Sequence, residues 1–209
     1  MTRPDIVQAL SKIASFQSNP GPRHWNAAIN LLRYLKGTKQ LALQYKSTGK
    51  TIDDPWNVSL YADADWATDV DDRRSRSGTM VFVNANLVCY RSKKQKSVTT
   101  STCEAEYLSL SDGIKELLWV RHILEAIGIK VRKPMQVYED NKAVKHILDN
   151  PAGDRRTRHI AMRYHHVLDV KTKGLININH ICTKKQLTDI LTKNLARPTL
   201  ERLRNQFLK

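Results

Sequence analysis

The chain has 209 residues, 41% of them hydrophobic and 26% charged, and this composition excludes a disordered chain or a coiled coil. Lysine and arginine outnumber aspartate and glutamate by 35 to 20, so the formal net charge is +15 at pH 7. A protein this basic usually binds a polyanion such as a nucleic acid, because each phosphate that it neutralises releases condensed counterions. The alternative is a merely solvated basic surface, and the clustering of the charges favours a nucleic acid.

The cysteines and the apolar runs indicate the compartment. Cys89, Cys103 and Cys182 match neither a disulfide framework nor a zinc spacing, which fits reduced thiols in an intracellular protein. No apolar run is long enough to span a bilayer, and the first four residues do not resemble a signal peptide. We therefore expect a soluble intracellular protein without a membrane partner.

The first 56 residues predict a small helical appendage. Helical periodicity covers residues 5–15 and 24–37, with a Pro/Gly breaker at 19–22 between them. Residues 41–45 are predicted as a strand and 47–55 as a linker. Two helices and a strand bury too little surface to be stable alone, so we expect the segment to need a partner surface.

From residue 57 the pattern becomes α/β. Strands are predicted at 58–63, 79–83, 87–91, 135–138 and 175–182, and helices at 102–127, 143–148, 159–172 and from 186. Three hairpin-linked strands followed by strands that alternate with helices predict a mixed five-stranded sheet flanked by helices.

Four acidic residues lie at the ends of these elements, where such a sheet could bring them together. Asp63 ends the first strand, Glu104 begins the long helix, Asp140 follows the fourth strand and Asp189 begins the last helix. Each alone is more often a helix cap or a surface acid. Together they form an oxygen-ligand set for hard divalent cations, two of which can clamp both oxygens of a phosphodiester displacement.

Motifs through residues 57–195 resemble, in order, the ribonuclease H domain of Ty1/copia-type retrotransposon Pol polyproteins. They are 61–67 (YADADWA), 73–75, 77–78, 92–95 (SKKQ), 101–107 (STCEAEY), 139–141 (EDN), 158–160, 163–165 and 187–193 (LTDILTK). Segments 3–6, 18–20, 24–25 and 32–38 resemble the C-terminal end of the preceding reverse transcriptase. The resemblance implies a ribonuclease H-like fold and three segments: a reverse transcriptase remnant (1–56), the ribonuclease H domain (57–197) and a helical tail (198–209).

The resemblance also implies roles. Asp63, Glu104, Asp140 and Asp189 correspond to the catalytic acids, which bind two Mg²⁺ ions, with Mn²⁺ as a substitute. Glu106 competes with Glu104, but the two lie about 200° apart around the helix and cannot share one pocket, and we assign Glu104. Asp65 is expected at the rim.

Two further residues near these acids are interpreted as lying outside the catalytic set. Strand alternation should point Glu139 away from the site. The loop before Asp189 lacks the mobile histidine of some relatives of the fold, and His180 is at best a distant substitute. Transfer of a proton to the leaving group is then expected to rest on water.

Basic clusters predict the nucleic-acid surface. We assign phosphate or backbone contacts to Arg73, Arg74, Arg76, Lys93, Lys94, Lys96, Asn141 and Arg158. The histidines His159, His165 and His166 lack a chelating spacing, and Trp66, Trp119 and Tyr164 are predicted to be core residues.

The leading hypothesis is an enzyme that hydrolyses the RNA strand of RNA–DNA hybrids during retrotransposition. The alternative is a catalytically idle nucleic-acid-binding fragment that shares its parent's transposition role. A complete reverse transcriptase is excluded by length. The expected partners are the hybrid and the rest of a reverse transcriptase or polyprotein, in the cytoplasm (a virus-like particle) or the nucleus.

Overall fold

The computed structural model describes residues 2–150 and 161–209, so the predicted contacts of Arg158 and the position of His159 lie outside the described residues. Five strands form one sheet in the order β3-β2-β1-β4-β5, which confirms the predicted mixed sheet. β1, β2 and β3 pair antiparallel, whereas β4 and β5 continue the sheet parallel to β1. The strands are β1 (Val58–Asp65), β2 (Arg76–Val83), β3 (Asn86–Lys94), β4 (Met135–Glu139) and β5 (Ile176–His180).

Seven α-helices are found among the described residues. They are α1 (Val7–Ala14), α2 (Pro22–Gly37), α3 (Thr102–Ala126), α4 (Lys142–Asp149), α5 (Ala161–Thr172), α6 (Asp189–Thr192) and α7 (Arg197–Arg204). The helix predicted to begin at residue 186 begins instead at Asp189, and α7 follows it as a separate helix. No helix in residues 2–150 or 161–209 is both long and apolar enough to cross a membrane.

Local sequence explains the central elements. In β1 the apolar residues Val58, Leu60 and Ala62 alternate with polar ones and are buried against the helical layer. The β2–β3 turn has two residues with positive φ, Asn84 (47°) and Ala85 (65°), as a two-residue hairpin turn with the right twist requires.

Each face of the sheet carries its own apolar core. One core packs α3, α4 and α5 against β1, β4 and β5, and its largest fully buried side chains include Tyr107 and Leu110. The other packs α6, α7 and the chain's last residues against β2 and β3, around Met80, Leu191 and Leu208. The sheet is therefore covered on both faces, and the C-terminal end of strand β1 lies between α3 on one face and α6 on the other.

The N-terminal appendage packs on the second core together with the C-terminal tail. Val7 and Leu43 contact this core, and the backbone N–H of Ala42 donates to the carbonyl of Lys209 (2.8 Å). The predicted strand at 41–45 is wrong, since only one isolated bridge forms there, between Leu43 and Leu208. The two chain ends thus stabilise each other, while the domain boundaries at 56 and 197 stay predictions.

A buried acid fixes the start of the chain. Asp5 is 8% exposed, pairs with Arg3 (2.8 Å) and accepts a hydrogen bond from the Tyr34 hydroxyl (2.7 Å). Arg204 of α7 donates to the same hydroxyl (3.0 Å). The residues before α1 therefore share one polar network with α2 and α7, which adds to the apolar contact between the chain ends.

Gly78 sets how closely α6 approaches the sheet. A Cβ at this position would lie 2.6 Å from Thr192 Cγ2 and 3.2 Å from the carbonyl oxygen of Thr188. We expect Gly78→Ala to push α6 outward and to lower the free energy of unfolding by about 1–3 kcal/mol. Urea denaturation measures this, with Gly37→Ala as the control, because a Cβ at Gly37 meets nothing within 4 Å. Equal stability of Gly78→Ala and wild type would contradict the contact.

Candidate active site

Three carboxylates meet at the end of β1. Asp63 of β1, Glu106 of α3 and Asp140 after β4 each offer an oxygen, and these oxygens all lie within 4.8 Å of one another. Asp63 is fully buried and Glu106 is 7% exposed, whereas Asp140 is partly exposed and opens the cluster to solvent. Such a set of close oxygens is what a hard divalent cation requires.

The sheet register explains why the three residues converge. β1 and β4 are parallel neighbours with Tyr61 opposite Tyr138, so the chain positions two residues further on, Asp63 and Asp140, lie at the same edge. α3 packs across β1, and the backbone N–H of Ala64 donates to Glu106 Oε2 (2.6 Å). Strand order and helix packing together bring the acids to one point.

The structure does not bring Glu104 into this cluster. Its side chain is partly exposed, and its carboxylate accepts hydrogen bonds from the backbone N–H (2.7 Å) and hydroxyl (2.9 Å) of Thr100. The assignment of Glu104 over Glu106 is therefore corrected. Only one of these two residues can face the carboxylate cluster from α3, and that residue is Glu106. A sequence signal existed, because Ser101 and Glu104 have the Ser-x-x-Glu spacing of a capping box, and Ser101 does cap α3.

Glu139 also differs from the prediction. Strand alternation does point it to the face opposite Tyr138, but that face carries α3 and Glu106. Glu139 is fully buried, and its Oε1 accepts a hydrogen bond from the backbone N–H of Asn141 (3.2 Å). Its Oε2 has no hydrogen-bond partner within the described part of the chain. Beside the three clustered carboxylates there is therefore a further, buried acid, which the sequence prediction placed away from the site.

Asp189 reaches the cluster through a lysine. Lys193 Nζ lies 2.6 Å from Asp189 Oδ1 and 3.0 Å from Asp63 Oδ1, so one ammonium group bridges the two acids. The spacing of four residues puts Asp189 and Lys193 on the same side of α6 and the residues that follow it. The predicted acid is thus close to Asp63, and Lys193 is a site residue that the prediction missed.

Asp63 and its neighbours are held by buried polar contacts. The Thr192 hydroxyl donates to Asp63 Oδ2, and Ser109 of α3 donates to the backbone carbonyl of Asp63 (2.8 Å). Fully buried Gln186 donates to the carbonyl of Ala62 (2.7 Å), which ties the segment before α6 to β1. Asp65 lies half-buried beyond Asp63, at the rim as predicted.

Burial and crowding raise the pKa values of these acids. Desolvation, followed by the charges of Glu139, Asp63 and Asp140, raises the pKa of Glu106 to about 11. Desolvation and the charge of Asp63 raise the pKa of Asp189 to about 6, against the opposing effect of Lys193. Burial also raises the pKa of Asp63 and Glu139. A divalent cation would offset this repulsion, so the cluster favours metal binding.

The raised pKa of Glu106 predicts a pH-dependent stability. Glu106 keeps its proton in the folded state where the unfolded chain has lost it, so stability should fall as pH rises above the ordinary value of 4.5. In EDTA, the free energy of unfolding of wild type should fall on the order of 2 kcal/mol more than that of Glu106→Gln between pH 5.5 and 7.5. Urea denaturation at both values measures this difference. Equal pH dependence in the two proteins would contradict the assignment.

The predicted basic contacts divide into free and engaged residues. Arg73, Lys93 and Lys96 are exposed. Lys94 instead pairs with Asp69 (2.7 Å) and Asp72 (2.8 Å). Arg76 is partly buried and donates to Ser11 (3.0 Å) and Ser92 (3.3 Å), while Arg74 is exposed and lies 3.5 Å from Asp72. Phosphate contacts remain a prediction for all of them.

An open groove of about 680 Å³ runs between β3 and α3. Lys93, Lys96 and Lys115 line it together with Trp119, whose exposed fraction of 59% contradicts its prediction as a core residue. Trp66 is likewise 42% exposed, and only Tyr164 of the three aromatic residues is buried.

Two polar residues flank Asp140. The His180 ring nitrogen Nε2 lies 3.0 Å from the backbone carbonyl oxygen of Asp140, so this histidine contacts a residue of the carboxylate cluster. Asn141 caps α4, accepting a hydrogen bond from the backbone N–H of Ala143 (2.9 Å). His180 is exposed and Asn141 is partly exposed.

Comparison with known proteins finds relatives whose sequence similarity covers nearly the whole chain. The chain is 37% identical over 196 residues to the retrovirus-related Pol polyprotein from transposon RE2 of Arabidopsis thaliana, covering 94% of this chain and 13% of that one. It is 33% identical over 200 residues to the Pol polyprotein from transposon TNT 1-94 of Nicotiana tabacum, covering 96% and 14%. The chain thus spans about one seventh of the curated relatives that it matches. No protein-family model matches it.

The fold resembles a solved ribonuclease H. The structure of LC11-RNase H1 in complex with RNA/DNA hybrid matches with a TM-score of 0.50 and 13% identity, over 65% of this chain and 94% of that one. At this identity the likeness shows the fold alone. It confirms the predicted ribonuclease H-like architecture.

Proposed function

Because the chain belongs to the Ty1/copia-type retrotransposon Pol polyproteins and has the ribonuclease H fold, we propose that it hydrolyses the RNA strand of RNA–DNA hybrids. The observation that carries the proposal is the cluster of Asp63, Glu106 and Asp140 at the β1 edge. A basic chain with an acidic pocket suits a nuclease, since the surface attracts the backbone and the pocket holds the cations that cleave it.

The residues present fit a magnesium site. The donor set consists of carboxylate oxygens, and Oε2 of buried Glu139 has no hydrogen-bond partner among the described residues. Asp63, Glu106 and Asp140 would hold one ion, and Asp63 with Asp189 a second, on the side now bridged by Lys193. When bound, Mg²⁺ or Mn²⁺ supplies an activated water and stabilises charge on the leaving oxygen.

The chain's own residues arrange this site. Thr192 and Lys193 hold the two oxygens of Asp63 in fixed positions, and the Ala64 backbone N–H orients Glu106. Partly exposed Asp140 leaves one side open for a phosphodiester. Because the burial of Asp63 and Glu106 excludes bulk water, their charges act in a medium where electrostatic interactions are strong.

Hydrolysis of a hybrid labelled separately on each strand tests the proposal. Wild type with Mg²⁺ should cleave the RNA strand and spare the DNA strand, and EDTA should abolish cleavage. Asp140→Asn should lower the cleavage rate by at least about 100-fold, because Asp140 would bind the metal directly, and even residues that only support a metal ligand matter for activity. Tight hybrid binding by wild type without Mg²⁺-dependent cleavage would instead support the idle binding fragment.

The wider context is part of the same proposal. We infer that residues 1–56 represent the end of a reverse transcriptase and that the chain works beside the rest of a polyprotein. The exposed Trp25 (67%) and Leu32 (59%) on α2 support this, because a free apolar helix face favours a covering surface.

A further inference from the structure

A second cleft lies between the N-terminal appendage and the catalytic domain. It has a volume of about 750 Å³, with α1 and the residues after it on one side and the β1–β2 turn on the other. Two hydrogen bonds tie its sides together: Gln8 donates to Asn194 (3.1 Å) and Arg76 donates to Ser11 (3.0 Å). We call it the α1 cleft; α1 is a fixed wall of it.

The α1 cleft is lined mainly by positive charge. Six basic residues (Lys12, Arg73, Arg74, Arg76, Lys94 and Lys193) face three acidic ones (Asp65, Asp69 and Asp71). Lys94 already neutralises Asp69. Lys12 and Arg73 are exposed and form no ion pair within residues 2–150 and 161–209, so their charges are available to a ligand. The potential of the cleft therefore favours a polyanion.

Lys193 connects the cleft to the carboxylate cluster. Lys193, which lines it, lies 3.0 Å from Asp63, and Asp65 follows Asp63 by two residues on the same strand. The cleft therefore lies next to the cluster, within reach of a nucleic-acid strand that has one phosphate there. The basic β3–α3 groove, by contrast, has neither Asp65 nor Lys193 among its lining residues.

An aromatic pair adds a contact for nucleotides. The rings of Phe16 and His24 are stacked with centroids 4.0 Å apart and planes within 10°, and both residues line the cleft. Aromatic faces beside basic side chains are the combination that binds single nucleic-acid strands with little sequence preference.

We propose that the α1 cleft binds the phosphate backbone of the strand that crosses the carboxylates, next to the phosphodiester that is cut. The inference rests on the proposed function and extends it to the appendage. Residues 8–24, which lie outside the five-stranded sheet, then belong to the substrate site. The appendage contributes affinity for the hybrid and sets the path of the cut strand.

Salt-dependent binding tests the charges of the cleft. Binding of a labelled RNA–DNA hybrid is measured in EDTA at stepped salt concentrations, so that metal-dependent hydrolysis does not enter. The variant carries Lys12→Ala and Arg73→Asn, since Ala suits a helix and Asn suits the left-handed backbone at Arg73 (φ 56°). The control carries Lys36→Ala and Lys130→Ala, which remove the same charge from exposed residues outside the cleft.

The cleft variant should show a slope of log K against log salt that is shallower by about one for each lost phosphate contact. The control should keep nearly the wild-type slope. Equal slopes for the cleft variant and the control would overturn the inference, as would a wild type that binds no hybrid at low salt. The proposed function fails separately, if wild type binds the hybrid but does not cleave it with Mg²⁺.

Neutral phosphate analogues identify the strand. Methylphosphonates are placed singly along the RNA strand or the DNA strand, and their effect on binding is compared between wild type and Lys12→Ala. We expect a position on the RNA strand where the analogue weakens wild-type binding but not that of Lys12→Ala. Such coupling confined to the DNA strand, or absent from both strands, would contradict the path that we propose.

Discussion

Glu106→Gln should reduce Mg²⁺-dependent hydrolysis of an RNA–DNA hybrid by at least about 100-fold, because it removes one carboxylate of the cluster. The Gln side chain can still accept the hydrogen bond from the backbone N–H of Ala64. In metal-free buffer its stability at neutral pH should therefore equal or exceed that of wild type, since Gln is neutral without taking up the proton that Glu106 must bind on folding. Initial rates and urea denaturation measure the two effects.

Glu104→Gln is the matched control, two residues away in the same helix. Its side chain is partly exposed, lies outside the carboxylate cluster and keeps an acceptor for Thr100, so its cleavage rate should stay within about threefold of wild type. The opposite pattern, with Glu104→Gln inactive and Glu106→Gln active, would restore the sequence-based assignment and refute the observed geometry.

Lys193→Met should destabilise the metal-free protein by about 3 kcal/mol, because it leaves fully buried Asp63 without its cationic partner. Added Mg²⁺ or Mn²⁺ should recover much of this loss, since a bound cation neutralises the same carboxylates. Thermal and urea unfolding with and without metal measure both effects.

Lys173→Met is the control for Lys193→Met. It removes another lysine four residues after an aspartate, but the Lys173–Asp169 pair is exposed (63% and 54%). Exposed ion pairs contribute little to stability, so Lys173→Met should lower the free energy of unfolding by less than about 0.5 kcal/mol with or without metal. Equal costs for the two variants would mean that Lys193 does not compensate Asp63.

The sequence predicted the position of Asp63 and Asp140 well, because strand ends are marked by local alternation. The phase of a helix is harder to predict. Glu104 and Glu106 both lie near the start of α3, and only packing against β1 decides which one faces the cluster. The cap formed by Ser101 was the available signal for Glu104.

Contacts between distant residues account for most of what the sequence did not reveal. Lys193 pairs with Asp63 across 130 residues, and Leu43 pairs with Leu208 across the length of the chain. No local pattern predicts such pairs, since they depend on how whole elements pack. Glu139 shows the same limit. Strand alternation predicted that it faces away from Tyr138, but it did not predict that α3 packs on that face.

Anomalous diffraction from crystals of the protein grown with Mn²⁺ tests the central claim most directly. We predict a manganese peak at about 2.1 Å from carboxylate oxygens of Asp63, Glu106 and Asp140. Density for a second ion near Asp189, with Lys193 displaced, would extend the result to both metals. A manganese peak at Glu104, or none beside Asp63 at saturating Mn²⁺, would contradict the account.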